Sequence, residues 1–242
     1  MAAFPLAPAF LFAGLMAAFG AAAQQPAVKT VCPTVEPWGY QETEEGAACS
    51  FMDYVARAAD LWPKTEVQPI PRIMHGLRVG TIDLTVLVPS PERLELAISL
   101  CEPSNLTISI AYYKNSIASD SVEALEGTRV GTFRNGALLK EFFTHGAEPV
   151  DLLTMTQGFK MLAAHRLTGT VCVRPGCDRA IRNAGISPDE LSMLPIESFP
   201  FSLLLSKQSL LAQDVGAVDK LRAACQSPTT HRILDGLIRE FE

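Results

Sequence analysis

One stretch, residues 69–95, constrains the rest of the chain more than any other. Ile73, Met74 and Leu77 recur at the spacing of one helix face. Gly80 stands where a C-terminal glycine ends a helix, because glycine takes a positive φ without a Cβ clash. Residues 82–88 are apolar and largely β-branched, broken only by Asp83 and Thr85, which predicts a buried parallel strand. Pro89 ends it, and Ser90-Pro91-Glu92-Arg93 opens a new turn. Helix, glycine and strand in this order predict an α/β chain. Ser90 and Arg93 fall just past the strand's carboxyl end, where open α/β sheets hold ligands. A hydroxyl and a guanidinium fork at that place suit a carboxylate or a phosphate.

Other segments read in the same way. A helix is expected at 50–61, with Phe51, Val55, Ala58 and Ala59 on one face and Trp62-Pro63 ending it. Strands are expected at 66–70, 106–113, 128–133, 150–155, 171–173, 191–197 and 201–206. Arg134-Asn135-Gly136 turns from one of these into a helix at 137–144, and such a turn offers free backbone N–H groups to an anion. Thr156 is the expected N-cap of a helix at 157–167. Further helices are expected at 180–185, 215–225 and 231–241.

Composition decides between classes. With 242 residues, 48% of them hydrophobic and 19% charged, the chain can build one or two cores. A formal charge of −6 makes nucleic acid and anionic membrane surfaces poor partners. Residues 1–23 carry no charged side chain, residues 10–19 are an apolar run, and Ala21-Ala22-Ala23 before Gln24 has the form of a cleavage site. A secretory signal over 1–23 is therefore expected, although no Lys or Arg precedes the apolar run. The alternative is an uncleaved anchor, for which the run is short and two prolines interrupt its start.

Cys32, Cys49, Cys101, Cys172, Cys177 and Cys225 are an even set, as an oxidising compartment would suit. Six cysteines allow many pairings. The Pro-Gly turn between Cys172 and Cys177 could fold those two together, Cys32 and Cys49 flank one loop, and Cys101 and Cys225 are then left for each other. There is no C-x-x-C, no H-E-x-x-H, no G-x-G-x-x-G, no Walker sequence and no G-x-S-x-G. No metal, cofactor or catalytic set is expected, and His165 and His231 are expected to be structural.

The central stretch also resembles a known family. Leu77-Arg78-Val79-Gly80-Thr81-Ile82-Asp83, a hydrophobic strand and Ser90-Pro91-Glu92-Arg93 resemble the L-x-x-G-x-I-D, strand, T-P-E-R pattern of the family 3 extracellular solute-binding proteins of ABC importers. The resemblance implies an α/β, two-lobed periplasmic-binding-protein-like (type II) fold, each lobe a mostly parallel sheet flanked by helices. One lobe would take residues 24–112 and 204–242 and the other 113–203, with two crossing strands as the hinge. In the family's amino-acid receptors the arginine matching Arg93 clamps a carboxylate. Trp38 and Tyr40 match aromatics that line the cleft, and Arg72 matches a common basic residue. The family's acidic ammonium-binding position falls near Cys177 or Asp178, and its inner acidic residue is replaced by Cys172. With Arg174 beside that position and only Glu36 or Asp178 as acidic substitutes, an organic anion is the expected ligand.

The implied function is periplasmic capture of a small carboxylate-bearing solute by a monomer that serves an ABC permease. The alternatives on the same fold are an accessory or sensor subunit and a dehydratase-type enzyme.

Overall fold

Parallel strands need a crossover on one face of the sheet, and the chain supplies a helix or a long loop after nearly every strand. The computed structural model describes residues 27–133 and 146–241. β1 (Ala27–Pro33), α1 (Ala47–Ala58), β2 (Trp62–Gln68), α2 (Ile70–Val79) and β3 (Leu84–Leu87) form one winding. α3 (Pro91–Leu96) leads into the long β4 (Ala97–Tyr113). A second winding holds β5 (Arg129–Phe133), β6 (Glu148–Leu152), α4 (Met155–Ala163), β7 (Gly169–Arg174) and α5 (Cys177–Asn183). The long β8 (Leu191–Ser206) returns, and α6 (Val215–Gln226) and α7 (Pro228–Phe241) close the chain.

The eight strands lie in the order β2-β1-β3-β8-β4-β7-β5-β6. β1 pairs parallel with β2 and β3, and β5 pairs parallel with β6 and β7. β8 and β4 run antiparallel between these two halves. Two parallel half-sheets are thus joined through two long shared strands. Their register shifts between Ser99 and Cys101, between Cys101 and Ser104, and between Ile108 and Ser109. Such bulges bend and twist a ribbon, which divides one hydrogen-bonded sheet into two lobes.

The central unit forms as its spacing predicts. Ile73 and Leu77 are buried, Gly80 ends α2 with φ 74°, and β3 is buried throughout. α2 covers one face of its half-sheet through Val31, Ile73, Leu77, Ile82, Leu87, Ala97 and Leu204.

Several boundaries differ from expectation. Trp62-Pro63 begins β2 rather than merely ending a helix. Pro63 is tolerated because β2 is an edge strand, whose outer N–H groups need no ladder partner. β8 is continuous across Pro195 and Pro200, where two separate strands at 191–197 and 201–206 were expected. Both prolines lie outside the Ser202–Leu205 segment that pairs with β3, and Pro195 adjoins the Ile108/Ser109 register shift.

Three disulfides tie elements together. Cys32–Cys49 joins β1 to α1, Cys101–Cys225 joins β4 to α6, and Cys172–Cys177 joins β7 to α5. Their Cα atoms are 5.4, 6.2 and 5.2 Å apart, within ordinary disulfide reach. No helix among the described residues is long and apolar enough to cross a membrane, and residues 1–23, read as a signal, lie outside them.

Candidate functional site

The carboxyl ends of β1, β2, β5 and β6 converge on one cavity of about 480 Å³ between the half-sheets. Thr34, Val35 and Glu36 follow β1, and Gly39, Tyr40, Gln41 and Glu42 continue that loop. Pro69, Ile70 and Pro71 enter from the end of β2, and Phe133 and Leu152–Thr154 from the ends of β5 and β6. Strand ends of an open α/β sheet are where loops are free to meet a ligand. The polar lining is acidic, hydroxylic and amidic, with the carboxylates of Glu36 and Glu42, the Tyr40 phenol, the Thr154 hydroxyl and the Gln41 amide. No basic side chain among the described residues lines it.

Glu36 is half-buried and spans the gap. Both its carboxylate oxygens accept from the Thr156 hydroxyl on α4, at 3.2 and 3.1 Å. Burial pushes the Glu36 carboxyl above its ordinary value, while the Thr156 hydroxyl and backbone N–H and the charge of Arg179 pull it back. Tyr40 donates its hydroxyl to the Phe241 carbonyl at 3.0 Å, and burial raises its phenol. A second hollow of about 430 Å³ runs along α4 between Thr154 and Arg166. It is walled chiefly by one helix face and is more open, so the cavity between the half-sheets is the better candidate.

No protein-family model matches the chain, and no curated protein sequence matches it. Solved structures do. The ligand-binding core of GluR0 from Nostoc punctiforme, in complex with L-glutamate, superposes with a TM-score of 0.73 at 12% identity, over 88% of this chain and 98% of that one. An ancestral arginine-binding protein bound to arginine gives 0.72 at 14%, over 89% and 97%. A double mutant of the BvgS VFT2 domain from Bordetella pertussis gives 0.70 at 15%, over 89% and 93%. The chain has the two-lobed, type II periplasmic-binding-protein fold.

Around the cleft between the half-sheets, the residues singled out in the sequence part company. Glu36 and Tyr40 line it. Trp38, expected there, does not: it is fully buried, its ring centroid 4.2 Å from that of Phe201. The cause is local. The Trp38 N–H donates to the Val35 carbonyl at 2.6 Å, and its own carbonyl accepts from the Ala48 N–H at the start of α1, so the turn carries the ring into the core.

Arg93 is not in the cavity lining either. Its guanidinium donates back to the Val88 carbonyl, burial lowers its pKa, and among the described residues no carboxylate forms an ion pair with it. Ser90 caps α3, its hydroxyl accepting from the Arg93 N–H at 3.4 Å. Arg72 is exposed on α2, one residue beyond the lining. Arg174 and Asp178 pair with each other at 3.2 Å on an exposed face, away from the lining. Arg134, Asn135 and Gly136 lie outside the described residues.

Thr34, Gln41, Glu42, Phe133 and Thr154 line the cleft without having been singled out in the sequence, and Thr156, expected only as a cap, reaches Glu36 from beside it. One had a signal. Thr154-Met155-Thr156-Gln157 has the T-x-x-Q form of a capping box, and Thr154 rather than Thr156 is the N-cap, accepting from the Gln157 N–H at 3.1 Å. That two-residue shift leaves Thr156 in the first turn, with its hydroxyl and N–H facing Glu36.

Proposed function

We propose that this chain is an exported solute-binding protein that holds a small molecule between its lobes and delivers it to an ABC-type importer. The two lobes divide within β4 and β8, which carry the hinge at their register shifts. The observation that carries this reading is the cavity where four strand ends from both half-sheets meet. A cleft of that size suits a metabolite rather than a polymer.

The lining bears on the solute. The anion expected from Arg93 finds no basic side chain in the described lining, whereas a cation there would meet Glu36 and Glu42. Opposite charge favours a bound cation and like charge repels a carboxylate. The solute is therefore one with an amine or guanidinium group, which agrees with the arginine held by one of the structural neighbours. Phe133, Leu152 and Ile70 supply apolar walls for its carbon skeleton.

A thermal-shift panel tests this. Matched series of amines, guanidines, zwitterions and simple carboxylates are offered to protein freed of co-purifying solute. At about 100 times its dissociation constant a true ligand stabilises by ~2.7 kcal/mol. A shift with cation-bearing members, reduced in Glu42→Gln, supports the reading. A shift with simple carboxylates alone overturns the choice of solute, and none with any member, together with nothing co-purifying in native mass spectrometry, overturns solute binding.

A further inference from the structure

One short loop touches the opposite lobe at three places. It runs from Thr34 to Gly46 between β1 and α1, and the Cys32–Cys49 disulfide closes its base. Its Glu36 carboxylate accepts from Thr156 in the first turn of α4. Its Pro37 lies against Gly176 in the turn between β7 and α5, so closely that a Cβ on Gly176 would stand 2.3 Å from Pro37 Cδ and 2.5 Å from the Glu36 carbonyl. Its Tyr40 ring lies under the Arg179 guanidinium, 4.9 Å from the ring centroid, with Arg179 on α5. The Tyr40 hydroxyl and the Arg179 guanidinium both donate to one acceptor, the Phe241 carbonyl at the end of α7, at 3.0 and 2.8 Å.

The partners of this loop are themselves braced. Cys172–Cys177 closes the turn that presents Gly176, and Gly176 holds φ 113°, a conformation that a side chain would strain. Each side of the contact is therefore pinned covalently within its own lobe, and two preformed surfaces meet. The groups facing Glu36 are Thr156 from α4, Arg179 from α5, and Glu42 and Tyr40 from its own loop. Arg179 is the cation among them, so Glu36, Tyr40 and Phe241 are all held through α4 and α5 of the other lobe.

We propose that the loop from Thr34 to Gly46 is a built-in latch that holds the two lobes together in the absence of any solute. Glu36, Pro37 and Tyr40 are its three points of engagement, and Thr156, Gly176 and Arg179 receive them. Closure is then a property of the chain itself, and solute enters past a latched edge instead of driving the lobes shut. A Glu36 carboxylate that already accepts twice still has lone pairs to offer a cation in the cleft. The latch nevertheless stands without the solute reading, because it requires no ligand.

The test uses solute-free protein, unfolded in denaturant without reductant and refolded with its disulfides intact. Spin labels at the exposed positions Lys64 on β2 and Asp189 before β8, introduced as Lys64→Cys and Asp189→Cys, report the distance between lobes. The unsubstituted loop is expected to give one narrow distance population. Glu36→Ala with Arg179→Met is expected to raise the open-to-closed ratio by about tenfold, the order of worth of one or two partly exposed hydrogen bonds. Thr156→Val and Arg179→Met, each alone, serve if the double variant does not refold, and each should open the lobes to a smaller degree. The proposal fails if solute-free protein is already open, or if the variants leave the distances unchanged. Either failure leaves the thermal-shift result on solute binding untouched, and a null panel leaves this result untouched.

Discussion

At the scale of single residues, Glu36 and Trp38 stand two positions apart and behave in opposite ways. Glu36 is a carboxylate drawn partly out of water, so its pKa rises from the ordinary 4.5. The folded state then binds its proton more tightly than the unfolded state does. Linkage makes this group's contribution to stability largest at low pH, and that contribution declines as pH rises from 4.5 through the raised value. The stability of Glu36→Gln relative to wild type should therefore improve between pH 4 and pH 7. Thermal unfolding of both proteins across that range checks it, and a constant difference would show that Glu36 is not desolvated. Trp38 instead fills the core against Phe201. Trp38→Ala should destabilise by ~3–5 kcal/mol in denaturant unfolding, the usual loss for a buried aromatic. Trp38→Phe should cost less, since it also removes a buried indole N–H that has no acceptor among the described residues.

At the scale of elements, α4 is the piece on which the cleft turns. Its N-cap Thr154 lines the cavity, and its first turn offers Thr156 to Glu36. Thr154→Ala should cost ~1 kcal/mol of stability, as N-cap deletions do, and Thr154→Ser should restore most of it. The same pair distinguishes capping from wall chemistry. If Thr154→Ala weakens solute binding while Thr154→Ser does not, the cap positions α4 for the cleft. Equal stability of the alanine variant and wild type would mean that the cap contributes nothing. β4 and β8 are the other decisive elements, because each serves both half-sheets.

At the scale of the whole molecule, the disulfides differ in what they restrain. Cys101–Cys225 closes a separation of 124 residues, and Cys172–Cys177 one of only 5. Loop-closure entropy removed from the unfolded chain grows with that length. The double variant Cys101→Ser/Cys225→Ser should thus lose ~2–5 kcal/mol, more than Cys172→Ser/Cys177→Ser, as read from urea midpoints at constant slope. The short disulfide instead shapes the turn that carries Gly176, so its loss should show in the inter-lobe distances before it shows in stability.

Much of this molecule could be read from the amino-acid order. The helix at Ile73 and Leu77, the stop at Gly80 and the buried strand of Leu84–Leu87 follow from spacing and from one glycine's freedom at positive φ. These are local rules, and they determined an α/β chain, but the turn they pointed to, with Ser90 and Arg93, does not line the cleft. Tertiary structure alone decided the rest. Trp38 and Tyr40 look alike as aromatics of one loop, yet a turn and a helix cap send the first into the core and leave the second at the cleft. β8 runs on through Pro195 and Pro200, because its pairing leaves room for residues without an N–H donor. Glu36 meets Thr156 across 120 positions of sequence. Periodicity and turn chemistry act over a few residues, whereas the apposition of strand ends from two half-sheets depends on how β4 and β8 bend. No local pattern encodes which charges that bend brings face to face.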